Sequence, residues 1–483
     1  GLYQVMFFFG LSVAIAALFV YIYTRCIRST LLLVSVAVAG VVWLLGLMNL
    51  LGYELDPYSI LVPFLIFAIG LSHGAQKMNG ILQDVGRGTH KYVAARYTFR
   101  RLFMAGLTAL LTNIVGFAVL VIIDIPVIRD LALTTSIGIS VLIFTKLVLI
   151  PVTLSYIGVS PIAARRALAE DTGQKKSFLG QIWSALDRLT ERRAATITVA
   201  LAVVVTLVCT VVMFDLRIGD LDPGAPELRQ DSRYNKDSAY ITAHYGLSND
   251  QFVVIMTNPD DGCRLYGTLQ LMDQLAQALR ETEGVQATSS LAQSTRFITA
   301  ALNEGSGKWL TISRDQGITN AAVGAAMIAT PDITNTSCAV SPLIAYLADH
   351  KADTLNRVLK VSEDFAAKNN SANLKEGPRF LLAAGSAGVE AATNIEVEHG
   401  IFLMYLAVYG ATAFLCLLTF RSLRATIVAM IPLVMTTIIC KALMVWMGIG
   451  LKVATLPVIA VGVGVGVDYA LYLLSVQIAM QGR

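Results

Sequence analysis

"GVGVGVDYALYLLSV", residues 462–476, places one aspartate, Asp468, inside a stretch otherwise apolar enough for lipid. Gly464, Asp468 and Tyr472 follow one another at i, i+4 and i+8 and share a helix face, while Gly462 and Gly466 form a small-xxx-small pair on another. An ionised aspartate at the bilayer centre costs on the order of 3 kcal/mol on insertion scales, so such residues usually serve ion or proton pathways. The bland reading is a neutral, hydrogen-bonded packing residue.

Outward from this stretch the chain stays apolar. Of its 483 residues 55% are hydrophobic and only 14% charged, a balance outside that of soluble domains. A spanning helix needs about 20 apolar residues, and runs of that kind cover 3–24, 31–53, 59–76, 103–123, 131–157, 194–214, 399–419, 425–448 and 453–478. Between the sixth and seventh lies a polar region, 217–396, long enough for a core of its own.

Basic residues stay on the cytoplasmic side of a membrane. Arg25 and Arg28 follow the first run, Lys77 to Arg101 the third, Arg165 to Arg193 the fifth, and Arg421 and Arg424 the seventh. The alternate loops carry no basic excess, so 217–396 is expected on the opposite, exported side. The net charge of +4 then needs no nucleic acid. Residues 87–101 and the amphipathic stretch "SFLGQIWSALDRLTERR" at 177–193 read as interfacial helices against anionic lipid headgroups. Cys263 and Cys338 both lie in the exported region, where an oxidising compartment would let them pair; two free thiols are the alternative.

Sliding the chain against itself gives an ungapped match at an offset of 396: Arg25 falls on Arg421, Arg28 on Arg424, Met48 on Met444, Gly52 on Gly448, Leu55 on Leu451 and Gly70 on Gly466. Such duplications are common in transporters. The run 194–214 has no partner before residue 1, so the chain reads as a fragment of a protein with twelve spanning helices and a second exported domain. The partner stretch "FAIGLSHGAQ" (67–76) repeats the small-residue spacing with Gly70 and Gly74, and its equivalents of Asp468 and Tyr469 are Ser72 and His73. Packed about a pseudo-twofold axis, the two helices would bring a carboxylate, a phenol, a hydroxyl and an imidazole together. His73 has a second reading, as a residue turned to the headgroups near Lys77. Thr108, Thr112 and Asn113 suit either a polar path or helix packing, and Lys146 and Lys441 read as cations reaching for an interface.

The "GVGVDYALYL" motif, the repeat with one large exported domain between membrane halves, and the amphipathic linker resemble the resistance-nodulation-division (RND) permease superfamily. The likeness is greatest to its MmpL and hopanoid-exporter branch and covers helices 2 to 10 of a twelve-helix permease. It implies a polytopic α-helical fold with an α+β periplasmic porter domain: a first membrane half over 1–157, a linker over 158–193, a seventh helix over 194–214, the porter domain over 217–396, and a second membrane half over 397–483. It further implies Asp-Tyr proton relays in the fourth and tenth helices. Asp468 and Tyr469 match the tenth; Ser72 and His73 replace the pair in the fourth.

The porter reading has local support. "QFVVIMT" (251–257) reads as a strand, 265–281 as a helix with Leu265, Leu269, Met272, Leu275 and Leu279 inward, 285–291 as a strand, 342–368 as a helix and "RFLLAAG" (379–385) as a strand. "GSGKW" (305–309) is no P-loop, because the first glycine is missing and Trp309 replaces Ser or Thr. No catalytic constellation, zinc-ligand spacing or cofactor motif appears.

The expectation is a proton-driven exporter of hydrophobic or amphipathic molecules, lipids among them, in a bacterial inner membrane. Its expected partners are the substrate, membrane lipids, further copies in a dimer or trimer, and periplasmic or outer-membrane proteins. Asp468 would be protonated in turn, with Tyr469, Ser72 and His73 tuning it. The alternatives are a sterol-sensing carrier or receptor of the Patched or NPC type, for which the sequons at Asn335 and Asn369 leave room, and a non-transporting scaffold.

Overall fold

The computed structural model describes residues 2–171, 188–222, 224–225, 228–245, 248–371 and 377–481. The chain divides into two compact units, Gly1–Leu216 with His399–Met447 and Val453–Arg483, and Arg217–Glu398 with Gly448–Lys452.

In the first unit, helices α1 (Leu2–Thr24), α2 (Ile27–Leu50), α3 (Val62–Gly86) and α4 (Lys91–Ala118) lead into α5 (Pro126–Leu142). A π-helical segment, Ile143–Leu149, joins α5 to α6 (Ile150–Ile157). It arises where Pro151 has no N–H to offer the carbonyl four residues earlier, so the regular ladder is broken there. Next come α7 (Pro161–Asp171) and α8 (Arg192–Val212). Nine helices among the described residues have the length and hydropathy to cross a membrane, including α14–α16 below.

Burial follows the helical period. On α2, Leu33, Ala37, Val41, Leu44 and Met48 are buried in succession, whereas α1 and α8 leave nearly all their apolar side chains exposed or half-buried. Apolar side chains exposed all round a helix are stable only against lipid.

The second unit holds α9 (Arg233–Tyr245), β1 (Gln251–Thr257), α10 (Tyr266–Arg280), β2 (Val285–Ser290), α11 (Leu291–Leu302), α12 (Gln316–Ala329), β3 (Val340–Leu347), α13 (Ala352–Asn369), β4 (Arg379–Ala384) and the start of α14 (Gly385–Phe420). The four strands run antiparallel in the order β2-β3-β1-β4, a split βαβ sheet. Alternation decides its inner face: Phe252, Val254 and Met256 of β1 and Leu343, Ala345 and Leu347 of β3 point into one core with Leu269, Met272, Leu275 and Leu279 of α10 and Leu355 and Val358 of α13. A disulfide joins Cys263 to Cys338 across 75 residues of chain, with Cα atoms 5.3 Å apart.

Helices α15 (Leu423–Trp446) and α16 (Leu456–Gln481) follow α14. The duplication is visible in the helix ends. Shifted by the 396 residues of the sequence repeat, α2 has the same bounds as α15, and the last residue of α1, Thr24, falls on the last of α14, Phe420. The junctions share their backbone too: Arg25 and Arg421 both take positive φ, 47° and 49°, and Gly52 and Gly448 take 80° and 67°. A positive φ is costly for arginine, so its recurrence at both repeat positions marks one inherited helix-to-helix corner.

Several local expectations are corrected. The third apolar run does not stop at 76; α3 continues to Gly86, which places Lys77 inside the bundle. Residues 91–101 are no separate interfacial helix but the first turns of α4, with Ala94, Ala95 and Thr98 buried. Of 177–193, residues 177–187 lie outside the described residues, and Leu189 is exposed in a short 3-10 turn. Residues 342–347 belong to strand β3, whose alternate side chains are buried, and the helix begins only at Ala352. Leu265 caps α10 in extended conformation and is exposed rather than inward.

Candidate functional site

Asp468 lies on the face of α16 that meets α4. Gly464, one turn earlier, makes this approach possible: a Cβ there would collide with Oδ1 of Asn113 on α4 and stand 3.2 Å from its Cα. With the backbones that close, Asn113 Nδ2 donates to Asp468 Oδ2 at 3.0 Å while also holding Ala109 O at 3.0 Å. Asp468 is 5% exposed and Asn113 fully buried.

The imidazole of His73, on α3, bridges two residues of α16. Its Nε2 stands 3.2 Å from Asp468 Oδ2 and its Nδ1 3.1 Å from the hydroxyl of Tyr472. The four-residue step from Asp468 to Tyr472 matches the two edges of one ring, and that is why a single histidine serves both. In a neutral imidazole one nitrogen donates and the other accepts. A carboxylate at 468 takes the Nε2 proton and leaves Nδ1 to accept from Tyr472; a protonated Asp468 donates to Nε2, and Nδ1–H then donates to the tyrosine oxygen. Exchange of the tautomer can in this way couple the charge of Asp468 to the Tyr472 hydroxyl.

One buried amine lies beside this chain of contacts, and a second lies against Gly70 of α3. Lys77, on α3 one turn beyond His73, is fully buried with its Nζ 5.9 Å from the Tyr472 ring centre. A Cβ on Gly106 of α4 would meet both Lys77 Nζ, at 2.8 Å, and the Tyr472 hydroxyl, at 3.0 Å. Lys146 sits in the π-helical segment, also fully buried, with its Cε pressed where a Cβ on Gly70 would be, 2.8 Å away. Among the described residues Lys77 Nζ, Lys146 Nζ and Asp468 Oδ1 have no hydrogen-bond partner. Unsatisfied polar atoms at membrane depth are costly, and they persist where a pathway needs them.

The expected site residues are divided by this geometry. It joins His73 to Asp468. No contact joins Tyr469 or Ser72 to the cluster among the described residues: Tyr469 is 57% exposed, a hundred degrees round α16 from its neighbour, and Ser72 is half-buried. Tyr472 stands where the phenol of the relay was expected. Gly70, Gly74 and Gly464 are packed so closely that a Cβ would meet a neighbour within 3 Å, Gly466 is in ordinary contact with Leu433, and Gly462 has nothing within 4 Å, so the Gly462–Gly466 pair does not form a close helix crossing among the described residues. Lys146 does not reach for an interface, and Lys441 sits over the ring of Tyr405 with its Nζ 4.2 Å from the centroid. Lys77 was missed because a lysine after an apolar run reads as an anchor; its i+4 spacing from His73 was the available signal. Of the polar residues on α4, Thr108 bonds Thr419 of α14 at 2.8 Å, a helix-packing contact, while Asn113 belongs to the site.

No family model matches the chain, and neither does any curated protein. Among solved structures it is similar to the hedgehog release protein Disp from the water bear Hypsibius dujardini, with a TM-score of 0.62 at 16% identity over 97% of this chain. The chain spans 60% of the length of that Disp structure. At this identity the likeness is one of fold. The fold is that of this Disp structure: a polytopic α-helical protein whose described residues include nine helices long and apolar enough to cross a membrane, with an internal repeat and an α+β domain.

Proposed function

We propose that the chain is the proton-coupled part of an RND-type exporter of hydrophobic or amphipathic molecules, lipids among them, belonging to the MmpL and hopanoid-exporter branch. It would lie in a bacterial inner membrane with the α+β unit in the periplasm, and would be part of a longer, oligomeric permease. The observation that carries this reading is the continuous contact Asp468–His73–Tyr472 inside the helix bundle. A buried acid in touch with an imidazole can load and unload a proton without any further cofactor.

Asp468 is the protonation site in this account, His73 changes tautomer with it, and Tyr472 takes the place expected of Tyr469. Ser72 is left with a role in packing or access. The buried amines of Lys77 and Lys146 have no hydrogen-bond partner among the described residues. When Asp468 gains a proton its attraction for these amines vanishes, and the helices that carry them, α3 and the α5–α6 bend, are the elements free to respond. The name of Disp as a release protein agrees with a role in export from a membrane.

The test uses the natural full-length protein in proteoliposomes with an imposed pH gradient and a fluorescent lipid analogue. Asp468→Asn is expected to fold and insert but to lose both analogue movement and proton flux. Analogue movement that survives without a gradient, at the same rate in Asp468→Asn, would instead favour a passive carrier of the Patched or NPC type.

A further inference from the structure

The α+β unit contains a cluster of titratable groups remote in sequence from the intramembrane acid. Asp220 lies in the segment that enters the unit, His350 in the turn between β3 and α13, and Glu390 on the first turns of α14. One ligand atom from each lies within 4.8 Å of the others. Asp220 and His350 are buried and Glu390 half-buried.

The histidine is held as metal-binding histidines are. Its Nδ1 lies 3.1 Å from Asp250 Oδ1, so a carboxylate fixes the ring and its tautomer. Its Nε2, in a residue 5% exposed, has no hydrogen-bond partner among the described residues, and the ring lies beside Asp220 and Glu390. A buried ring nitrogen left unpaired beside two carboxylates is a place for a Lewis acid or a proton.

Asp220 is fixed in turn. Its Oδ1 accepts from the backbone N–H groups of Leu221 at 3.0 Å and Asp222 at 3.3 Å, and its Oδ2 accepts from Lys452 Nζ at 2.6 Å. A carboxylate offers about four lone-pair positions, so one remains. With His350 neutral on a metal and the three carboxylates ionised, Asp220, Asp250 and Glu390 bring three negative charges against the ammonium of Lys452, so one divalent cation would balance the remainder, in place of the proton on His350 and of the proton that burial favours on Glu390 by raising its pKa to about 7. The same groups act on His350 itself. Burial pulls its pKa down, but the Asp250 hydrogen bond and the charges of Asp250, Glu390 and Asp220 outweigh that and raise it to about 9.

We propose that Asp220, His350 and Glu390 form a divalent transition-metal site, suited to zinc, with Asp250 as the carboxylate that orients the histidine. Ligand atoms around a tetrahedral zinc stand about 3.4 Å apart, given bonds of about 2.1 Å, so small side-chain rotations close the cluster onto an ion. One nitrogen and two oxygens leave a fourth position for water or for an anionic group, and an imidazole in the set favours zinc over calcium or magnesium. The site ties the entering segment, the β3–α13 turn and α14 together at one point, so a bound ion would fix their relative positions.

The experiment uses the full-length protein in detergent, stripped with EDTA and titrated with zinc chloride by calorimetry and with cobalt chloride by visible absorption. One ion per chain is expected, with a cobalt spectrum of four-coordinate type. Glu390→Gln, a half-buried isostere, and His350→Ala should each weaken binding by about ten-fold or more. His244→Ala, at an exposed histidine outside the cluster, should change nothing; circular dichroism of each variant shows that it is folded. Zinc bound equally well by Glu390→Gln, or not bound by the natural protein, overturns the site and leaves a cluster balanced by Lys452 and a proton alone.

Discussion

Replacing Gly464 with alanine adds one methyl group at the closest approach of α16 to α4. That methyl would overlap Asn113 Oδ1 and press on its Cα at 3.2 Å, and a backbone atom does not rotate away. The helices must separate, at a cost of about 1–3 kcal/mol for overpacking, and the separation stretches the 3.0 Å bond from Asn113 to Asp468, worth about 1.5–3 kcal/mol to an ionised acid. The two costs overlap, because the same displacement relieves the first and causes the second, so a loss of about 2–3 kcal/mol is expected. Gly462→Ala supplies the control in the same helix, since nothing lies within 4 Å of the added group, and its effect should stay within about 0.5 kcal/mol. Reversible unfolding in mixed micelles measures both, alongside transport by the full-length protein. Equal stability of the two variants would refute the packing argument, and undiminished transport by Gly464→Ala would refute the role given to the Asn113–Asp468 contact.

Tyr472→Phe removes the hydroxyl that meets His73 and should slow transport several-fold, whereas Tyr469→Phe, at an exposed ring, should leave the rate unchanged; the reverse order would restore the role expected of Tyr469. Replacing Cys263 and Cys338 together with serine opens a 75-residue loop and should destabilise the α+β unit by about 4 kcal/mol in the chain-entropy account, as read by thermal unfolding with and without reductant. In EDTA-treated protein, protonated His350 stabilises the fold because its pKa is raised to about 9. That contribution is complete below its ordinary value near 6.5, and declines as the pH rises through about 9, by on the order of 2 kcal/mol. A pH series of melting temperatures should therefore fall over this window in the natural protein, more than in His350→Gln.

The membrane architecture was legible because lipid imposes long apolar runs whose lengths the chain must meet, and the repeat because Arg25 and Arg421, like Gly52 and Gly448, occupy corners that few conformations can make. Helix ends were less legible: buried Lys77 and Lys146 look like interfacial anchors until neighbouring helices are placed round them. The Asp468–His73–Tyr472 contacts were half legible. Asp468 stood out by its cost in lipid and His73 by the register of the repeat, but whether Tyr469 or Tyr472 faces the imidazole depends on the rotation of α16, and the repeat fixed only the register. Strand β3 was read as a helix because "PLIAYLA" (342–348) has no polar alternation, Pro342, Ile344 and Tyr346 being half-buried between its buried residues. The cluster of Asp220, His350 and Glu390 left no local trace, since its members are joined only by the return of α14 against the entering segment and no short spacing encodes them.

The central claim is that Asp468 changes charge as the protein works, and infrared difference spectroscopy measures this directly. The carboxyl C=O band that Asp468→Asn abolishes should appear and disappear with pH across the physiological range, and its midpoint should move when His73 is replaced by glutamine. A band that stays constant in every state, with or without a transported lipid, would contradict proton coupling at this residue.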